Sequence, residues 1–135
     1  MTDKPPTTAY RCAVIGNPIA HSRSPDIHAA FAQVRGINLQ YDRILAEAEN
    51  FAAIVAQFFA DGGRGLNITL PYKETAYRLC AQTSADARLA EAVNTLWQEN
   101  GTLCGDNTDG RGLRHALEHE HAYPCLLYTS PSPRD

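Results

Sequence analysis

Much that would mark a common function class is missing from this sequence. No stretch approaches the ~20 apolar residues that a membrane span requires. The opening MTDKPPTTAY is polar, with no apolar run behind a basic start, so no secretory signal is expected. The formal net charge is -3, which leaves no broad basic field to attract nucleic acid or an anionic membrane surface. Any bound anion must therefore be held locally. The four cysteines, Cys12, Cys80, Cys104 and Cys125, fall in no CxxC or other metal-like spacing. Free thiols in a reducing compartment are the economical reading, with no metal site and no disulfide. A dinucleotide fingerprint is absent too. After Gly63 and Gly65 the third glycine position holds Ile68, and after Gly110 and Gly112 it holds His115. A cytoplasmic protein with a short flexible tail over residues 1–10 is expected.

What is present is an ordinary globular composition, 135 residues at 44% hydrophobic and 20% charged, enough for one domain with its own core. Strand-length apolar runs alternate with helical patterns. RCAVIG (11–16) reads as a strand, and SPDIHAAFAQVRG (24–36) as a helix with Ile27, Ala30, Phe31 and Val34 on one face and Gly36 at its end. LQYDRILA (39–46) is a second strand, followed by an amphipathic helix over 49–63 that a glycine pair stops. RGLNITL (64–70) is a third strand, broken by Pro71. Two short helices follow, the second with Ser84 as N-cap, then a hairpin over 92–108 turning at Asn100 and Gly101, then helix-forming residues over 109–121. Strand and helix in alternation imply an α/β fold: three αβα layers around a mostly parallel sheet of about six strands with an antiparallel hairpin. CLLYTSPSPRD (125–135) has neither period, and its Ser-Pro pairs oppose regular structure. It resembles one reading frame of a sequencing-library adapter and is expected to be a cloning or sequencing scar, with a natural tail as the alternative.

Ligands of open α/β sheets collect beyond the carboxyl ends of the strands, and four stretches lie there. In GNPIAHSRSP (16–25), Ser24 suits the N-cap and Pro25 position N1 of the first helix. With Ser22 nearby, two hydroxyls beside exposed N–H groups make an anion site sized for a carboxylate. The competing reading is that Ser24 merely caps and Ser22 is solvated. In NITLPYK (67–73), Asn67 and Thr69 share a strand face and Lys73 follows the break, so an amide, a hydroxyl and an ammonium surround one strand end. A lysine there suits proton transfer, or is a solvated first-turn residue. In AVNT (92–95), Asn94 either reaches a pocket or satisfies the hairpin backbone. GDNTDG (105–110) fails as a calcium loop, because counting from Asp106 puts Gly110 and Leu117 at ligand positions. His115 and His119, four apart, with His121 beyond them, lack a further ligand and read as a solvated helix.

These four stretches, in this order, resemble the N-terminal substrate-binding domain of the shikimate dehydrogenases over roughly residues 10–121. The resemblance implies NADPH-dependent reduction of 3-dehydroshikimate to shikimate in aromatic amino acid biosynthesis. It implies that Ser22 and Ser24 hold the substrate carboxylate, that Asn67, Thr69, Asn94 and Asp109 bind the rest of the ring, and that Lys73, paired with Asp109, is the catalytic acid/base. Asp106 is expected to be a structural neighbour. Residues 11–109 would form the substrate-binding domain and 110–124 would begin the helix connecting to an NADP-binding domain that is not in the sequence, so the chain is expected to be inactive alone. A quinate-accepting relative and a non-catalytic small-carboxylate binding module are the alternatives. The chain departs from the family at Glu91, where its members commonly have glycine.

Overall fold

A computed structural model describes residues 9–118. The N-terminal tail over 1–8, His119, His121, Cys125 and the expected scar lie outside the described residues. Six strands form one sheet in the order β2-β1-β3-β5-β6-β4. β1 (Tyr10–Gly16) pairs in parallel with both β2 (Leu39–Leu45) and β3 (Gly65–Ile68). β5 (Thr95–Glu99) runs antiparallel to β3 and joins β6 (Thr102–Asp106) in a hairpin. The hairpin turn places Asn100 at φ 53° and Gly101 at φ 80°, the paired left-handed conformations that a two-residue turn needs. β4 (Gln82–Thr83) adds in parallel to the edge of β6. It is too short to carry a period, and for that reason the sequence does not announce it.

Side chains alternate between the faces of a strand. Ala13, Ile15, Leu66, Ile68 and Leu96 share one face through the β1–β3–β5 register. Onto it pack Phe51, Val55, Phe58 and Phe59 of α2 (Phe51–Ala60), Tyr72 and Ala76 at α3 (Lys73–Leu79), and Ala87 of α4 (Ala85–Ala90). Each large side chain removed from water there contributes about 1.5–3 kcal/mol. Ser84 caps α4 as expected, its Oγ accepting from the Ala87 N–H at 3.1 Å.

The opposite face carries Cys12, Val14, Tyr41, Arg43, Asn67 and Thr95, and α1 (Ser24–Arg35) lies over part of it. For α1 the structure settles an orientation that the sequence left open and corrects the cap. Its apolar stripe points outward: Ile27, Phe31 and Val34 are 49%, 63% and 84% exposed, and Ala32 is the buried residue. The helix is held through the flank carrying His28 and Ala32, a choice that periodicity alone cannot make. Nor is Ser24 the N-cap. Arg23 occupies that position without a side-chain cap, Ser24 opens the helix, and Pro25 comes one place later than expected. The Ser22 hydroxyl accepts the Ser24 N–H at 3.2 Å, so the serine two positions upstream satisfies the donor. α5 (Asp109–Ala116) follows the hairpin.

Candidate functional site

The ends of β1 and β3 are brought together by a close backbone approach. Thr69 N–H donates to the Ile15 carbonyl and Asn17 N–H to that of Leu70, both at 3.0 Å. A Cβ on Gly16 would collide with the Thr69 methyl and lie 2.8 Å from the Leu70 oxygen, so only glycine allows the two turns to meet. Beyond them opens a cavity of about 230 Å³ lined by Ser22, Ser24, Asn67, Thr69, Lys73, Asn94 and Asp109, with Val14, His28 and Ile68. Every site residue expected from sequence lines this one cavity. Thr69 does so from just beyond the end of β3, since the strand stops at Ile68.

At one end, Lys73 opens α3 and Asp109 opens α5. The Lys73 ammonium donates to Asp109 Oδ2 at 3.0 Å. Asn94 Nδ2 donates to Asp109 Oδ1 at 2.9 Å and to Thr108 Oγ1 at 3.0 Å, while its Oδ1 accepts from the Thr108 N–H and the Thr95 hydroxyl. Asn94 thus both orders the turn and lines the cavity. Lys73 and Asp109 are 30% and 57% exposed, and a pair so open to water stabilises a fold by only about 0–1 kcal/mol. Its value lies in the fixed placement of a proton-carrying ammonium against a carboxylate.

Asp106 has another task. Its carboxylate accepts from the Ser84 hydroxyl at 2.6 Å, the Asn107 N–H at 2.8 Å and Arg111 Nη2 at 2.5 Å. The Ser84 bond, followed by those from Arg111 and the Asn107 backbone, holds it below the usual carboxylate range against the opposing effect of burial. Asn107, 8% exposed, donates to the Ala92 carbonyl and accepts the Asp109 N–H at 2.9 Å. Within GDNTDG, then, Asp106 and Asn107 build the turn and Asp109 faces the cavity.

At the other end, Arg43 of β2 grips the Ser22 carbonyl with Nε at 3.1 Å and Nη2 at 2.8 Å. His28 Nδ1 lies 2.9 Å from the Ser24 carbonyl, which can only accept, so the proton sits on Nδ1. The imidazole stacks on Tyr41 with centroids 4.5 Å apart and planes at 13°. Tyr41 donates to Asn67 Oδ1 at 2.5 Å. Burial, opposed by a Ser24 hydrogen bond, pushes the phenol up to about 12, so it remains protonated. His28, Tyr41 and Arg43 were not singled out from sequence. The available signal was the four-residue spacing of Ser24 and His28 on one helix, and the alternation of Tyr41 with Arg43 on a strand next to the serine loop.

The arrangement defines an α/β ligand-binding domain whose cleft offers hydroxyls at one end and an amide, a hydroxyl and a lysine–aspartate pair at the other. The family model for the shikimate dehydrogenase substrate binding domain matches residues 14–96, and the chain belongs to that family. It is similar to the shikimate dehydrogenase (NADP(+)) of Cupriavidus necator, 55% identical over 112 residues that cover 83% of this chain and 38% of that protein. With that of Acinetobacter baumannii it is 53% identical over 106 residues, 78% of this chain and 40% of that one. The shikimate 5-dehydrogenase of Thermus thermophilus, solved in complex with NADP(H) and shikimate, superposes with a TM-score of 0.76 at 37% identity, covering 81% of this chain and 41% of that one. The chain spans about 40% of the length of the curated relatives it matches.

Proposed function

We propose that this chain binds shikimate and 3-dehydroshikimate and supplies the substrate side of an NADP-dependent shikimate dehydrogenase in the cytoplasm. The observation carrying the reading is the Lys73–Asp109–Asn94 cluster facing Ser22 and Ser24 across one cavity. That spacing of a small-anion site and a hydroxyl-binding site suits a polyhydroxylated ring acid, and the names of the relatives support it. Ser22 and Ser24 receive the carboxylate at the start of α1, where the helix dipole favours negative charge. Thr69, Asn94 and Asp109 take the ring hydroxyls, with Asn67 beside them.

As the ketone is reduced, its oxygen develops negative charge, and the Lys73 ammonium gives it a proton from Nζ. Asp109 remains a carboxylate throughout and holds Lys73 in place; in the reverse direction Lys73 takes the proton back. The described residues do not fit a dinucleotide. Their strand-to-helix turns hold no G-x-G-x-x-G, and Gly16 admits the Thr69–Leu70 turn rather than a pyrophosphate. NADP(H) is therefore proposed from the relatives' names alone, and the residues of this chain handle substrate and proton.

The test is a titration of the 15N-labelled chain with shikimate. Shifts are expected at Ser22, Ser24 and Asn94. Lys73→Ala is expected to weaken binding at least about tenfold, the loss of one hydrogen bond to a charged group, while leaving the fold intact. An absence of shifts at those three residues would sink the proposal.

A further inference from the structure

The loop between β1 and α1 carries Ser22 into the cavity and is tied down along its length. Asn17 N–H donates to the Leu70 carbonyl at 3.0 Å, Ile19 is buried, and Ser22 N–H closes a turn onto the Ile19 carbonyl at 3.1 Å. The Ser22 carbonyl needs a donor from elsewhere. It stands one residue before the Arg23 carbonyl, which accepts the Ile27 N–H at 3.0 Å, so the hydrogen-bond ladder of α1 starts after it. Arg43 supplies that donor from β2, with Nε at 3.1 Å and Nη2 at 2.8 Å. It can reach because β2 runs parallel to β1 and sets Arg43 opposite Val14, a residue of the cavity wall. Among the described residues the guanidinium makes no ion pair, so no neighbouring carboxylate neutralises it. Ser22 Oγ meanwhile accepts the Ser24 N–H at 3.2 Å. A hydroxyl has one proton and two lone pairs, so the proton stays available to a ligand.

We infer that Arg43 is a positioning residue for the anion end of the cavity: by gripping the Ser22 carbonyl it holds the Ser22 hydroxyl ready for a carboxylate, and so raises affinity without touching the ligand. The inference rests on the proposed function and deepens it, by naming what presets the carboxylate site. Arg43 is not among the residues that line the cavity, and it therefore acts through Ser22. Two donors from one planar, pre-organised fork converge on a single oxygen and fix the Ser22–Arg23 peptide plane. With that plane fixed, the Cα–Cβ direction of Ser22 is fixed too. The bond from Ser24 N–H then leaves the ligand only the rotation of the O–H to set, so little ordering is left to be done on binding. The charge of Arg43 adds a weaker effect, because the guanidinium is exposed and water and salt screen it.

Arg43→Lys separates position from charge, because an ammonium keeps the charge and loses the planar fork. Shikimate is expected to bind about three- to tenfold more weakly to Arg43→Lys, the cost of ordering the serine loop only when the ligand arrives. Thermal unfolding should stay close to that of the parent. In the ligand-free 15N-labelled chain, the backbone amide of Arg23, which shares its peptide with the gripped carbonyl, is expected to shift. The decisive readout is coupling. Ser22→Ala should cost markedly less affinity in the Arg43→Lys background than in the parent, while Lys73→Ala, at the far end of the cavity, should cost the same in both, a selectivity that a merely structural role would not produce. Parent-like or tighter shikimate binding by Arg43→Lys, an unmoved Arg23 amide, or losses strictly additive with Ser22→Ala would each overturn the inference. A parent chain that binds no shikimate would bring down the functional proposal and the inference together. A parent that binds, with an Arg43→Lys chain that binds equally well, would bring down the inference alone.

Discussion

On one face of the sheet, Ala13, Ile15, Leu66, Ile68 and Leu96 are sealed beneath α2, α3 and α4, each 2% exposed or less. On the other, Asn67 and Thr95 of β3 and β5, with Tyr41 and Arg43 of the neighbouring β2, stay polar, and Asn67 lines an open cavity. The period of two makes this division possible: alternate positions along a strand supply adhesion on one face and recognition on the other. The energies differ in kind. Burial on the sealed face is worth about 1.5–3 kcal/mol for each large side chain, whereas the Lys73–Asp109 pair adds no more than about 1 kcal/mol. Stability should therefore reside on one face and ligand affinity on the other.

The strongest way to break that contrast is Phe51→Ala. Phe51 is fully buried and stacks on Tyr72 with ring centroids 4.5 Å apart, while the Tyr72 hydroxyl donates to the Ala46 carbonyl at 2.6 Å. Truncation leaves a cavity that neighbours held at both ends cannot fill, and a loss of about 3–5 kcal/mol is expected from urea unfolding. The folded fraction should still bind shikimate as the parent does. A loss below about 1 kcal/mol, smaller than any such truncation in a close-packed core, would show that the sealed face is not where stability lies.

The two faces were not equally legible in the sequence. The sealed one announced itself through the apolar runs of β1 and β3 and the pattern of α2, because burial selects residue type directly. Lys73, Asn94 and Asp109 were also legible, since each stands just outside a strand, where polar residues have no reason to accumulate unless something is bound or a turn is built. Tyr41 and His28 were not. A tyrosine inside a strand and a histidine inside a helix satisfy the period of their element and look structural; their relation exists only once α1 is laid across β2. The same blindness hid the orientation of α1. Its stripe of Ile27, Phe31 and Val34 is plain as a pattern, yet a pattern does not say whether the stripe or its flank meets the sheet. At the serine loop, spacing alone favoured Ser24 as the cap, whereas it is the Ser22 hydroxyl that accepts an N–H at the start of α1.

Asp106 sharpens the comparison, because it lies beside the cavity yet acts on the fold. Its carboxyl is held below the ordinary range chiefly by the Ser84 hydroxyl. A depressed folded value contributes stability that is complete above the unfolded value, near pH 4, and is lost as pH falls through the folded one. Asp106→Asn is expected to cost about 1–2 kcal/mol at pH 7, in line with hydrogen bonds to a charged group. The gap to the parent should shrink as urea midpoints are taken from about pH 4 downwards. A gap that stays constant into acid would mean that the charge is not what ties β6, α4 and α5 together.

The smallest expected effect comes from the seam where the faces meet. Glu91 ends α4 at φ 56° and ψ 38°, in the left-handed region. Just before it, Ala87 is buried in the core; just after it, Val93 is buried too, and Asn94 turns into the cavity. The backbone must reverse there so that Val93 N–H reaches the Lys73 carbonyl at 3.0 Å and Asn94 N–H that of Asp106 at 2.9 Å. A residue with a Cβ holds this conformation at a cost of about 1–2 kcal/mol. Glycine avoids that cost and gives back about 0.5–1 kcal/mol through its freer unfolded chain. Glu91→Gly should therefore stabilise the chain by about 0.5–1 kcal/mol, raising the melting temperature by roughly 2–6 °C. If the faces are separable, shikimate affinity should not change. Were stability to rise while affinity fell, the reversal at Glu91 would be setting Asn94 as well as closing α4, and the division between a stabilising face and a binding face would end at this residue.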